Sequence, residues 1–221
     1  LPMLTGLDQR PTSRDGQKLD PLQAHGVKVM SIGFLIDPEQ ALIWRGPMVT
    51  GALIQLLRDV NWGELDYLVL DLPPGTGDIP LTLAQNVRAA GVVLVSTPQD
   101  VALADVIRAK LMFDKVSIPV LGLVENMSSF VCPHCRKETP IFAHGGARTA
   151  AEKMGIRFLG EIPIDLAIRE GGDKGVPIVA GAPESPLAEA FIAVAKNVAG
   201  AVSTQVLKAP RLPVIGAQPR A

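Results

Sequence analysis

Short aliphatic runs alternate with longer amphipathic stretches along most of this chain, and that alternation restricts it to few architectures. Val27–Phe34 (VKVMSIGF), Asp66–Leu72 (DYLVLDL), Gly91–Ser96 (GVVLVS), Pro119–Val124 (PVLGLV) and Arg157–Glu161 have the length and composition of strands. Met48–Val60, Ile79–Arg88, Val101–Phe113 and Ala147–Met154 read as helices between them, and Gly46-Pro47 marks the start of the first. Leu166–Glu170 reads as a helical turn and Pro186–Val202 as a closing helix. Strand–helix alternation predicts an α/β fold, a mostly parallel sheet with helices on both faces. Composition agrees: 48% of residues are hydrophobic but only 4% aromatic, so the apolar mass is Val, Leu, Ile and Ala, suited to buried parallel strands. The expected organisation is an N-terminal loop segment (residues 1–26), one α/β domain (27–202) and a disordered tail (203–221) with Pro210, Pro213 and Pro219.

A net charge of −1 argues against nucleic-acid binding driven by bulk electrostatics. No uninterrupted apolar stretch reaches the roughly 18 residues of a membrane span, and the opening Leu1-Pro2-Met3-Leu4 is not a signal peptide. A cytoplasmic protein without membrane or nucleic-acid partners is the expectation, and the absent initiator Met predicts a start partway through a longer protein.

Tyr67 to Asp78 (YLVLDLPPGTGD) carries the most chemistry. Ligands of open α/β sheets gather at the carboxyl ends of strands. Asp71, closing an apolar strand there, is suited to Mg²⁺, which prefers oxygen ligands and keeps its water. Gly75, Thr76 and Gly77 offer backbone N–H groups to a phosphate. A helix cap followed by an ordinary turn is the plainer reading of an apolar strand ending in Asp.

The full string DLPPGTGD resembles the Walker B and switch II segment of the Mrp/ApbC-type members of the ParA/MinD-like P-loop ATPases. The resemblance extends over nearly the whole chain. Val124-Glu125-Asn126-Met127-Ser128 is similar to the segment in which that family's Asn recognises adenine, so it implies a base contact for Asn126. Phe130 to Cys135 (FVCPHC) is similar to the cluster-ligand motif of the carrier branch. Phe158 to Asp165, with Arg169, Asp173 and Gly175-Val176-Pro177, is similar to the C-terminal pattern, and implies that Pro163 borders the base. The family's phosphate loop departs from this agreement. No G-x-x-x-x-G-K-[ST] occurs, and Gly46 to Gly51 has the glycine spacing without the Lys. The resemblance therefore implies a fold lacking its N-terminal phosphate-loop strand. ATP would be bound with Mg²⁺ and hydrolysed in the complete protein, with Asp71 catalytic, while this chain is expected to be inactive as an ATPase.

Cys132 and Cys135 are the only cysteines, too few for a disulfide framework and spaced as ligands or as a redox pair. Structural zinc needs four ligands, and His134 and His144 would both have to join the cysteines to complete such a site. A thioredoxin-like redox pair, disfavoured because the motif does not open a βαβ unit, and a pair of inert buried thiols are the other readings. An iron–sulfur cluster takes four thiolates, which two copies would supply at a two-fold axis. Ligand counting thus favours a [4Fe–4S] cluster shared by a homodimer through the CxxC loop. The resemblance implies the same, with apo iron–sulfur proteins as recipients. Competing functions are a positioning ATPase of the ParA/MinD type and a zinc-stabilised interaction module. His25 and His144 read as solvated loop residues, Trp44 and Trp62 as core or interface, and Asp100 as a helix cap.

Overall fold

The computed structural model describes residues 1–36, 46–72, 78–132, 134–135 and 137–208, with the side chains of 46, 47, 49, 78, 79 and 208 excepted. A central sheet holds β3 (Val92–Ser96), β4 (Val120–Val131), β5 (Glu138–Thr139) and β6 (Phe158–Ile164). β4 is the axis: β3 and β6 pair with it in parallel, and β5 returns antiparallel at its far end. The mostly parallel α/β sheet expected from sequence is present.

Helices cover both faces, for a reason visible in the strands. Leu94 and Leu123 point to one side, where α4 (Asp100–Lys115) lays Leu103, Val106 and Phe113 against them, and α5 (Gly146–Met154) adds Ala147 and Ala151. Leu121, Val124, Leu159 and Ile162 face the other side, under Ala201 and the partly buried Phe191, Val194 and Val198 of α8 (Pro186–Lys208). Burying Leu123 or Leu159, each at most 1% exposed, contributes about 2–3 kcal/mol. Asp100 in the first turn of α4 and Lys115 in its last complement the helix dipole. The cap position is Gln99, one residue before the expected Asp100, and its side chain makes no cap bond.

Close packing depends on two glycines. A Cβ at Gly122 would lie 2.5 Å from the Arg157 carbonyl oxygen, and one at Gly160 (φ 137°) would lie 2.8 Å from Val194 Cγ2. Gly160 is therefore where α8 settles onto β6.

Several sequence expectations change. Residues 1–26 are not all loop: α1 (Pro2–Thr5) opens the chain, and β1 (Leu22–Ala24) pairs antiparallel with β2 (Val27–Val29). The run predicted as one strand from Val27 to Phe34 ends at Val29. Ser31 then starts a 3₁₀ turn, Ile32–Phe34, its Oγ accepting the Gly33 N–H at 3.1 Å. His25 and Gly26, with φ of 49° and 80°, make the tight hairpin turn, and β1–β2 stays apart from the central sheet. Asp66–Leu72 forms no strand, and Tyr67 and Val69 are 56% and 87% exposed. A strand needs a neighbour for its N–H and C=O groups, and none is paired with this segment among the described residues. α2 (Gly46–Arg58) and α3 (Asp78–Asn86) flank it. Farther on, α6 (Leu166–Asp173) is longer than the expected turn, and α7 (Ile178–Gly181) follows it. α8 carries the chain past Ser203 to Lys208, so the expected disordered tail begins as helix, and residues 209–221 lie outside the described residues.

Candidate functional site

The cysteines, expected in a loop, sit at the tip of a hairpin that continues β4. β4 continues through Val131, Phe130 and Val131 pair with Thr139 and Glu138 of β5, and the Cys132 N–H donates to the Lys137 carbonyl at 3.0 Å. This anchors the backbone of Cys132 while leaving its side chain half-buried and Cys135 exposed, both as free thiols. The N–H groups of Cys135 and His134, then the Cys135 thiol, hold the Cys132 thiol below its ordinary range. Such donors favour the thiolate, the form that binds metal. Trp62, expected in the core or an interface, is partly buried and donates its indole N–H to the Leu56 carbonyl at 3.0 Å.

Asn126 and Pro163 come together on adjacent strands. Asn126 is opposite Ile162 in the β4–β6 register, one residue before Pro163. The Asn126 Oδ1 accepts the Met127 N–H at 3.0 Å, and Met127 has φ of 57°, a rare conformation for a non-glycine. This kink coincides with the register shift between Asn126 and Phe130, where β4 leaves regular pairing. Asp71 is not joined to them by the sheet: it is exposed in the irregular segment before α3. Gly75, Thr76 and Gly77, expected to approach a phosphate, lie outside the described residues, as does Trp44.

Glu125 and Glu161 were not singled out as site residues by sequence, and His144 was read as solvated. Glu125 is fully buried at the sheet's carboxyl edge, where its Oε1 accepts the Gly145 N–H at 3.1 Å and its Oε2 the Ala147 N–H at 2.8 Å. It caps the start of α5. The available signal was an acidic residue inside LGLVENMS, where an uncompensated charge would be costly.

A mostly parallel sheet covered on both faces, with an Asn at its carboxyl edge and a pair of free thiols on a projecting hairpin, places the chain among the α/β proteins whose ligand edge is the carboxyl end of the strands. A family model described as ParA, NUBPL iron-transfer P-loop NTPase, matches residues 1–199, and the chain belongs to that family. It is 54% identical over 190 residues to the iron-sulfur cluster transfer protein NUBPL of Dictyostelium discoideum, covering 86% of this chain and 59% of that protein. Against the iron-sulfur cluster carrier protein of Escherichia coli strain K12 it is 48% identical over 204 residues, covering 92% and 54%. The chain thus spans under two thirds of the length of these relatives. Among solved structures, the nucleotide-binding protein of Archaeoglobus fulgidus in complex with ADP, with Co found, is 40% identical with TM-score 0.70, covering 86% of this chain and 73% of that one. The cell division ATPase MinD of Pyrococcus furiosus is 26% identical with TM-score 0.52, covering 70% and 58%.

Proposed function

We propose that this chain is the cluster-bearing part of an iron–sulfur cluster carrier. Cys132 and Cys135 from two copies hold one [4Fe–4S] cluster as cargo, for transfer to apo iron–sulfur proteins. The observation that carries this is the hairpin: its backbone is anchored by the Cys132–Lys137 bond, its thiols are free, and Cys132 is biased toward thiolate. Two thiolates leave a cluster half-liganded, so a second copy is needed to complete it. An exposed interface cluster can also be handed on. The names of the bacterial and NUBPL relatives support the same reading.

In the complete protein, ATP occupies the carboxyl edge of the sheet. Asn126 and Pro163 flank the base, Gly75, Thr76 and Gly77 face the phosphates, and Asp71 holds Mg²⁺ through water and takes part in hydrolysis. The ADP bound to the Archaeoglobus relative supports a nucleotide here. The 221 residues contain no lysine-bearing phosphate loop, so the chain as it stands hydrolyses ATP negligibly. Turnover matching that of intact relatives would contradict this. A cytoplasmic location without nucleic-acid or membrane partners belongs to the same proposal. α8 is long and apolar enough to cross a membrane by length and composition, but one side of it lies on β4 and β6.

Anaerobic reconstitution tests the cargo. About four Fe and four sulfide per dimer are expected, lost on Cys132→Ala or Cys135→Ala. Zinc retained with no iron uptake would instead identify a zinc-stabilised interaction module.

A further inference from the structure

Glu125 of β4 stands opposite Glu161 of β6 in parallel register. Like charges directly opposite across strands repel, and Glu125 is fully buried. Both its oxygens accept backbone N–H bonds, and these use two of about four lone-pair directions. Among the described residues, neither carboxylate has a Lys or Arg within ion-pairing distance. The group facing them is an imidazole: His144 Nδ1 lies 3.9 Å from Glu125 Oε1. One donor atom from each of Glu125, His144 and Glu161 lies within 4.8 Å of the others. Buried charges are paired or bind metal, and an imidazole nitrogen is a common metal ligand.

The geometry points to a divalent transition-metal site of the Zn²⁺ class held by Glu125, His144 and Glu161, separate from the cysteine pair. One imidazole nitrogen and two carboxylate oxygens form a three-ligand set that leaves a fourth position for water. It lacks the soft sulfur that selects iron–sulfur clusters. A cation about 2.1 Å from each donor in tetrahedral geometry sets the donors about 3.4 Å apart, so the present spread of up to 4.8 Å must close by up to about 1.4 Å. His144 is the ligand placed to make that movement. It is 49% exposed, on the turn leading into α5, and it opens the fourth position to solvent. Bound metal would cancel the cross-strand repulsion and tie β4, β6 and the start of α5 together. The tie falls one residue before Asn126 on β4 and one before Ile162 on β6.

Co²⁺ titration of the Cys132→Ala/Cys135→Ala chain tests this without the thiols. The expected result is one Co²⁺ per chain taken up from micromolar solution, with ligand-field bands, no thiolate charge-transfer absorption and a higher Tm. Glu161→Gln and His144→Gln should each weaken binding at least about tenfold and abolish the Tm rise. Both side chains are partly exposed, and Glu125 keeps its cap in either variant. An anomalous cobalt peak between Glu125 and Glu161 in crystals of the cysteine-free chain provides a check that needs no site variant. Absence of Co²⁺ uptake by the cysteine-free chain, unchanged affinity in both variants, or a cobalt peak elsewhere would overturn the assignment.

Discussion

Single residues here act through the backbone groups they satisfy. Asp15 is the plainest case: its Oδ1 accepts the N–H groups of Gln17 and Lys18, both at 2.9 Å, and the Ser13 hydroxyl at 3.2 Å. The Lys18 N–H first and the Gln17 N–H next lower its carboxyl from an ordinary 3.8 to about 2. A lowered carboxyl stabilises the turn above its ordinary value, and that contribution is lost as pH falls through the lowered one. The Gln17 and Lys18 amide resonances should therefore stay native down to pH 3.8 and shift together near pH 2. A midpoint near 3.8 would mean that the turn is absent in solution. Some candidate residues could be picked out from sequence and others could not. Cys132 and Cys135 declare themselves by spacing, and Asn126 by the motif around it. Glu161 does not, because its meaning depends on a strand that is remote in sequence and adjacent only in the sheet.

Elements are decided by what they pack against. β6 accepts α8 because Gly160 leaves room for Val194, and Asn197 Nδ2 donates to the Leu159 carbonyl across the same contact at 2.9 Å. Gly160→Ala adds a Cβ 2.8 Å from Val194 Cγ2 at a φ of 137°. It should destabilise the chain by about 1–3 kcal/mol in urea denaturation. Leu159→Ala, which empties a fully buried position, should cost about 2–5 kcal/mol. A cost below 0.5 kcal/mol for both would mean that α8 does not hold this position. The helices with apolar stripes, α4 and α5, were readable because their periodicity is local. The β1–β2 hairpin was not, because His25-Gly26 is a less obvious turn than Asn-Gly and the run after it reads as one continuous strand.

For the whole molecule, the sheet leaves an apolar margin. β3 has one neighbour, β4, among the described residues. Val95 is 60% exposed, and Tyr67, Leu68 and Val69 are exposed with no strand partner among the described residues. Such surface promotes association. Val69→Lys should lower light scattering and dye binding to exposed apolar surface while leaving urea stability within about 0.5 kcal/mol. Unchanged association would place the sticky surface elsewhere. The sequence by itself determined the α/β class, the helices on both faces and the dithiol, because periodicity and spacing express local geometry. Only the tertiary structure decided that Asp66–Leu72 stays irregular, that the cysteines ride on a hairpin, and that Glu125 meets Glu161 and His144. Those outcomes depend on strand partners and cross-strand register, which bring together residues that sequence order keeps apart.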